Sequence, residues 1–282
     1  MNKAEKYTQQ ILDYYDVCWL ERFMQGHNPN SLAMHMGYFS DSVEDNDQAK
    51  LRMNSFIAAQ LSLGNSDAQT VVDAGCGIGG TLFFLKEQFP QHHLIGINIS
   101  RSQIAFAQQK AKPLNNIVFL EEDYTSTSLE SNSVDVAYAI ESMCHSESKE
   151  QFLVEMFRVL KPGGKLLIID YIEVLKPTDA ETMSALNAFQ QGWAVNHYID
   201  LPAKRLLKAG FDNIEVTSIL NFVMPGIEKS YYGALTKMEQ IKKEESELLY
   251  NHYKACVSLK LLVEKGIIDY CVLQCTKPIE QQ

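Results

Sequence analysis

Asp73, two residues ahead of a glycine turn, and Glu141 with His145 four residues later are the side chains whose types and spacing point most directly to chemistry. The stretch VVDAGCGIGG, residues 71–80, meets the G-x-G-x-x-G spacing through Gly75, Gly77 and Gly80, the mark of a backbone turn that a nucleotide can approach closely. A dinucleotide enzyme carries an acidic residue about 20 positions further on to hold the ribose hydroxyls. Here the second strand ends in Asn98, followed by Ile99, Ser100 and Arg101. Arg101 keeps an NADP reading open, because it could meet a 2′-phosphate. Asp73 speaks against it: a carboxylate beside the turn favours a cationic ligand group over a pyrophosphate. A second acidic end, Glu121-Glu122-Asp123, closes the third strand. The residues therefore suit an adenosine compound bearing positive charge.

Positioning these groups requires a sheet. From residue 70 onward short apolar strands alternate with helical patterns, which predicts a parallel sheet with crossover helices. Strands are expected at 70–75, 93–98, 116–122, 133–140 and 164–172, with two more at 213–221 and 267–277. Helices are expected near 80–89, 101–112, 147–160 and 199–209. In VLKPGGK a helix ends, Pro162 and the Gly163–Gly164 pair turn the chain, and a buried strand begins. An N-terminal helical arm (1–63) precedes a cofactor-binding core (64–176), and a cap with the closing strands follows (177–282), all within one domain. The mostly helical insertion at about 226–264 and the arm are expected to fold over the carboxyl edge of the sheet, where ligands bind in open α/β folds.

Composition narrows the partners. An apolar fraction of 46% and a charged fraction of 21% suit a globular chain, and a net charge of −10 with no basic stripe argues against nucleic acid. Lys237 to Lys243, interleaved with Glu239, reads as a solvated helix face. No apolar run is long enough for a bilayer, and MNKAEKYTQQ lacks the apolar stretch of a signal peptide. The six cysteines form no C-x-x-C pair, so neither zinc nor a disulfide framework is expected; Cys271 and Cys275 read as small core residues on one strand face, and a reducing cytoplasm is the simplest setting. No metal site is expected, since His92 and His93 merely begin a strand. Self-association stays open.

The ordered set DAGCGIGG, GINIS with Gln103, Glu122-Asp123, SVDVAYAIESMCHS and FRVLKPGGKLLIID resembles the class I S-adenosylmethionine-dependent methyltransferases, over residues 70 to 172. The arm, with Tyr14-Tyr15-Asp16 and LAMHMGYFS, resembles the branch that acts on sterols, tocopherols, isoprenoids and other small molecules. The resemblance implies a seven-stranded Rossmann-like α/β sheet with helices on both faces, and S-adenosyl-L-methionine as cofactor. It assigns Gly75, Gly77 and Gly79 to the turn beneath the methionine part and Asp73 to its amine. Asn98 falls to the ribose and Asp123 to the adenine amino group, with Ile99, Gln103 and Tyr124 as further cofactor-binding residues. Tyr14, His35, Gly37 and Glu141 fall near the methionine end. The class usually has an acid where Asn98 stands.

Two chemistries fit the strand end that carries Glu141 and His145. An alkene acceptor passes through a carbocation and needs a carboxylate to stabilise it and remove a proton, with Tyr171, Trp193, Tyr198 and Phe222 as aromatic support. An amine or hydroxyl acceptor needs only His145 or Glu141 as base, with the rate coming largely from alignment. The sequence reading favours C-methylation of an isoprenoid or related alkene, with N- or O-methylation of a small metabolite as the alternative. An NADP oxidoreductase and a non-catalytic binding protein stand as readings of other classes. Structurally, Glu141 could instead orient the arm and His145 could cap a helix.

Overall fold

The computed structural model describes residues 3–24, 30–40, 45–64, 67–195, 202–241 and 246–279. Seven strands form one sheet: β1 (Thr70–Ala74), β2 (His93–Asn98), β3 (Ile117–Glu121), β4 (Val134–Ile140), β5 (Leu160–Glu173), β6 (Asp212–Ser218) and β7 (Ile268–Thr276). Their spatial order is β3-β2-β1-β4-β5-β7-β6. The first five pair in parallel, and β7 runs antiparallel to both β5 and β6. The carboxyl ends of β1 to β5 therefore share one edge.

Strand alternation sends successive side chains to opposite faces, and both faces are covered. Val71, Tyr138, Leu167 and Ile169 belong to one core cluster. With them pack α2 (Asn46–Leu61), α3 (Gly80–Gln88), α4 (Arg101–Ala111), α6 (Ala180–Gly192), α8 (Leu220–Gln240) and α9 (Glu247–Glu264). Val72, Ala137, Leu166 and Ile168 face the other way, onto α5 (Lys149–Val159) and α7 (Pro202–Lys208). The arm helix α1 (Lys3–Met24) adds a small cluster of its own, in which Ile11 and Tyr14 meet Ala194.

The sixth strand stops at Ser218 rather than continuing to 221. Ile219 caps α8 at Leu220, so the helical insertion starts earlier than expected. The helix α6 was not anticipated. Asp179 starts it by accepting from the Thr182 amide. The helix expected at 199–209 is α7; residues 199–201 lie outside the described residues. Cys271 and Cys275 are both buried on β7, as their spacing suggested.

Candidate active site

The turn after β1 is built from backbone. The amides of Gly75 and Cys76 both donate to the Ile97 carbonyl at 2.9 and 3.0 Å, which ties the turn to β2. Gly75, Gly77 and Gly79 all have positive φ (98°, 54° and 86°). At Gly75 a Cβ would lie 2.3 Å from that of Ser142, whose hydroxyl donates to the Ala74 carbonyl and joins the tips of β1 and β4. At Gly79 it would strike the Phe119 ring at 2.7 Å. At Gly77 the nearest atoms are Met34 Sδ at 3.5 Å and Gln103 Oε1 at 3.9 Å, so only there does the missing side chain leave usable space.

That space is part of a cavity of about 760 Å³ at the carboxyl edge of the sheet. Asp73, Gly75, Gly77, Asn98, Ile99 and Gln103 line it, as do Asp123 and Tyr124 at the β3 end. Tyr14, His35, Gly37, Glu141 and His145 border it from the arm and the β4 end. Gly79 is not in the wall and serves instead as the left-handed cap of α3. Arg101 is not in the wall either: its side chain is 88% exposed and lies 3.9 Å from Glu121, which removes the anchor an NADP reading needs.

Asp73 is buried at the floor, and burial pushes its carboxyl up to about 7, against the pull of the nearby Tyr138 hydroxyl toward the charged form. That hydroxyl is itself buried and makes no hydrogen bond of ordinary geometry, so its hold on Asp73 is weak. Such an acid is matched to a cation. Asn98 donates to Gln103 Oε1 at 2.7 Å and to the Gly77 carbonyl at 3.3 Å, turning its amide into a brace for the turn. This leaves Gln103 Nε2 buried with no hydrogen-bonding partner among the described residues. Asp123, exposed at the rim, engages Oδ1 with the amide and hydroxyl of Thr125. Tyr124 donates its hydroxyl to the Ser142 carbonyl at 2.8 Å.

The loop after β4 carries the reactive candidates. Glu141 sits at φ 48°, a left-handed conformation uncommon outside glycine. Its Oε1 accepts from the Met36 amide of the arm at 2.6 Å and from the Tyr270 hydroxyl on β7 at 2.7 Å. His145 is 9% exposed, and burial with the nearby Lys149 charge holds its imidazole down to about 4, so it is neutral near pH 7. Its Nδ1 lies 3.1 Å from the Ala194 carbonyl, which can only accept; Nδ1 therefore carries the proton. Nε2 is then the acceptor for the Tyr15 hydroxyl at 2.6 Å. Ala194 is itself left-handed at φ 51°, and its carbonyl also takes the Tyr7 hydroxyl at 2.9 Å.

The arm is fixed by further contacts: Tyr14 to His252 Nδ1 at 3.0 Å, and Ser102 to Asp16 at 2.8 Å. His35 lies between two acceptors, with Nδ1 2.8 Å from the Met36 carbonyl and Nε2 2.9 Å from Asn54 Oδ1, and burial holds its imidazole down to about 4, so it shapes the arm loop from inside. Gly37 is needed because a Cβ would lie 2.6 Å from that of Ala49. Of the expected aromatics, Tyr171 and Trp193 line the cavity, whereas Phe222 stacks on Tyr38 at 4.4 Å outside it. Tyr198 lies outside the described residues. Lys237, expected on a solvated face, joins Lys229 in the cavity wall. Tyr15, Tyr270 and Ala194 were missed as site residues; the YYD stretch was the one available signal, and it pointed to Tyr14.

The strand order and the β1 turn define a class I methyltransferase fold. Residues 72–168 match the family model described as a methyltransferase domain, so the chain carries a domain of this S-adenosylmethionine-dependent class. It is 30% identical to phosphoethanolamine N-methyltransferase 1 of Arabidopsis thaliana over 88% of this chain, and spans only 50% of that longer protein. It is 27% identical to erythromycin 3''-O-methyltransferase of Saccharopolyspora erythraea, over 87% of this chain and 83% of that one. Among solved structures it resembles the (4+2)-cyclase SpnF, with TM-score 0.76, 20% identity and 96% of each chain covered. It also resembles geranyl diphosphate C-methyltransferase from Streptomyces coelicolor A3(2), with TM-score 0.66, 18% identity and 96% and 98% covered. The site fits the cofactor of the class, S-adenosylmethionine: a glycine cradle, an acid held for a cation, and a buried amide nitrogen at Gln103 still requiring a partner.

Proposed function

We propose that the chain transfers a methyl group from S-adenosylmethionine to a small acceptor whose nucleophile is an amine or hydroxyl. The observation that carries this reading is the Tyr15–His145 pair, a neutral imidazole with its Nε2 lone pair directed at a phenol inside the acceptor end of the cavity. Bound cofactor supplies an electrophilic methyl on a cationic sulfur. Asp73 receives its amine, Gln103 and Asn98 its ribose, and Asp123 and Tyr124 its adenine. The acceptor's amine or hydroxyl would take that methyl and shed a proton. The Tyr15 oxygen takes up the proton it sheds as the Tyr15 hydroxyl proton passes to His145 Nε2. Glu141 holds the arm through Met36, which excludes water and sets the line of approach.

C-methylation of an isoprenoid or related alkene is the second reading. It is favoured by the aromatic residues Tyr14, Tyr15, Tyr171 and Trp193, which line the same cavity as Glu141. It ranks second because Oε1 of that carboxylate is already committed to Met36 and Tyr270. No described helix is long and apolar enough to cross a membrane.

The test is incubation with isotopically labelled S-adenosylmethionine and, in separate arms, phosphoethanolamine, an erythromycin with its 3''-hydroxyl free, geranyl diphosphate and an extract of the producing cell, read by mass spectrometry. Label on nitrogen or oxygen supports the proposal, and label on carbon moves the assignment to the alkene. No labelled product in any arm, while S-adenosylhomocysteine still raises the melting temperature, would identify a binding protein instead.

A further inference from the structure

The backbone on either side of His145 is held by two buried ionisable side chains that the chemistry above does not use. Lys149, at the start of α5 and 5% exposed, donates its Nζ to the carbonyl of Cys144 and to that of Ser146, both at 2.8 Å. These are the carbonyls immediately before and after His145. Asp170 on β5 is fully buried; its Oδ2 accepts from the Cys144 amide and its Oδ1 from the Tyr171 amide, each at 2.9 Å. The two side chains thus meet through the Cys144 peptide, one on its carbonyl and the other on its amide.

This is a costly way to finish a three-residue turn. Burial pushes Lys149 down and Asp170 up, and neutral groups of similar shape often serve stability as well or better. The return is geometric. His145 must place Nδ1 on Ala194 and Nε2 on Tyr15 at once, and both bonds weaken steeply if the 144–146 backbone rotates. The Lys149 charge also opposes protonation of the ring it brackets.

We propose that Lys149 and Asp170 are positioning residues that clamp the 144–146 backbone, so that His145 presents one tautomer, Nδ1–H to Ala194 and a bare Nε2 to Tyr15. The consequence for turnover rests on the function proposed above, but the clamp is read without turnover, so the two fail separately.

The test uses full-length 15N-labelled protein saturated with S-adenosylhomocysteine, with His145 ring signals identified by their loss in His145→Gln. Wild type is expected to show the Nδ1–H tautomer alone. In Lys149→Met the signals should shift to a tautomer mixture or to a ring that protonates at least one pH unit higher, while the Kd for S-adenosylhomocysteine stays within about threefold. Asp170→Asn, which leaves one of the two amides without an acceptor, should move the signals the same way. Lys149→Arg, which keeps the charge, should restore them in part. A folded Lys149→Met protein with the wild-type His145 spectrum overturns the proposal. If Lys149→Met does not fold, Lys149→Arg and Asp170→Asn decide by the same spectrum. Failure of all three to fold assigns the pair to stability alone and also overturns it.

Discussion

Replacing Asp73 by Asn should abolish the pH dependence of cofactor binding, and the size of that dependence follows from burial. The Asp73 carboxyl is raised from 3.8 to about 7, so keeping it ionised in the unliganded fold costs about 4 kcal/mol. An acid whose folded pKa lies above its unfolded value binds its proton more tightly when folded. Stability from this group is therefore greatest below pH 4 and declines as pH rises toward about 7. A cationic amine beside Asp73 reverses that penalty, because it favours the ionised form. Binding at pH 6 should release about 0.9 proton, and affinity should fall about 15-fold between pH 7 and pH 5.5, approaching tenfold per pH unit at the acid end. The assay is calorimetric titration with S-adenosylhomocysteine from pH 5.5 to 8.5, in buffers of differing ionisation enthalpy that count protons. Asp170, also raised to about 7, titrates in the same window, and the Asp73→Asn variant separates the two. That variant should bind at least tenfold more weakly at pH 8, with a flat profile. A flat profile and no proton release in the wild type would refute the pairing of Asp73 with a cation.

The glycines of the β1 turn should separate by role. Gly75→Ala and Gly79→Ala should each lower stability by more than about 2 kcal/mol in denaturant melts, from positive φ combined with the close contacts at Ser142 and Phe119. Gly77→Ala should fold, at a cost of about 1 kcal/mol, yet lose most affinity for S-adenosylhomocysteine, because its methyl enters the cradle. Tyr15→Phe leaves His145 Nε2 without its donor, a loss of about 1–3 kcal/mol, so turnover should fall at least tenfold with S-adenosylhomocysteine binding nearly intact. Glu141→Gln weakens a charge-assisted bond to the Met36 amide and should abolish turnover while the cofactor Kd stays within about threefold; unchanged turnover would strip Glu141 of its role.

The parallel half of the sheet was legible because its strands are continuous apolar runs, each closed by a turn signal, and burial on both faces demands that pattern. The turn after β1 was legible for a related reason: the spacing of Gly75, Gly77 and Gly79 encodes backbone geometry directly. The polar partners were not. Nothing local to Tyr270 marks it as the donor to Glu141, 129 positions away, and nothing near Ala194 marks its carbonyl as the partner of His145. Lys237 misled because its charged neighbours in sequence suggested solvent, whereas on α8 it falls on the same stripe as Gly226, Lys229 and Gly233, which border the cavity. The α6 helix was hidden because a mixed run such as AETMSALNAFQQG can serve equally as a helix or as lining until its tertiary partners are known.

The carbonyl of Ala194 is a junction of three distant stretches of chain: its own turn after α6, His145 from the sheet edge, and Tyr7 from the amino-terminal helix. Since Tyr15 rides on that same helix, swinging it aside to let small molecules in or out would strip the imidazole of its phenol. On the function proposed above, the base is therefore whole only with that helix in place, which couples proton removal to the packing of a segment more than a hundred positions away in sequence.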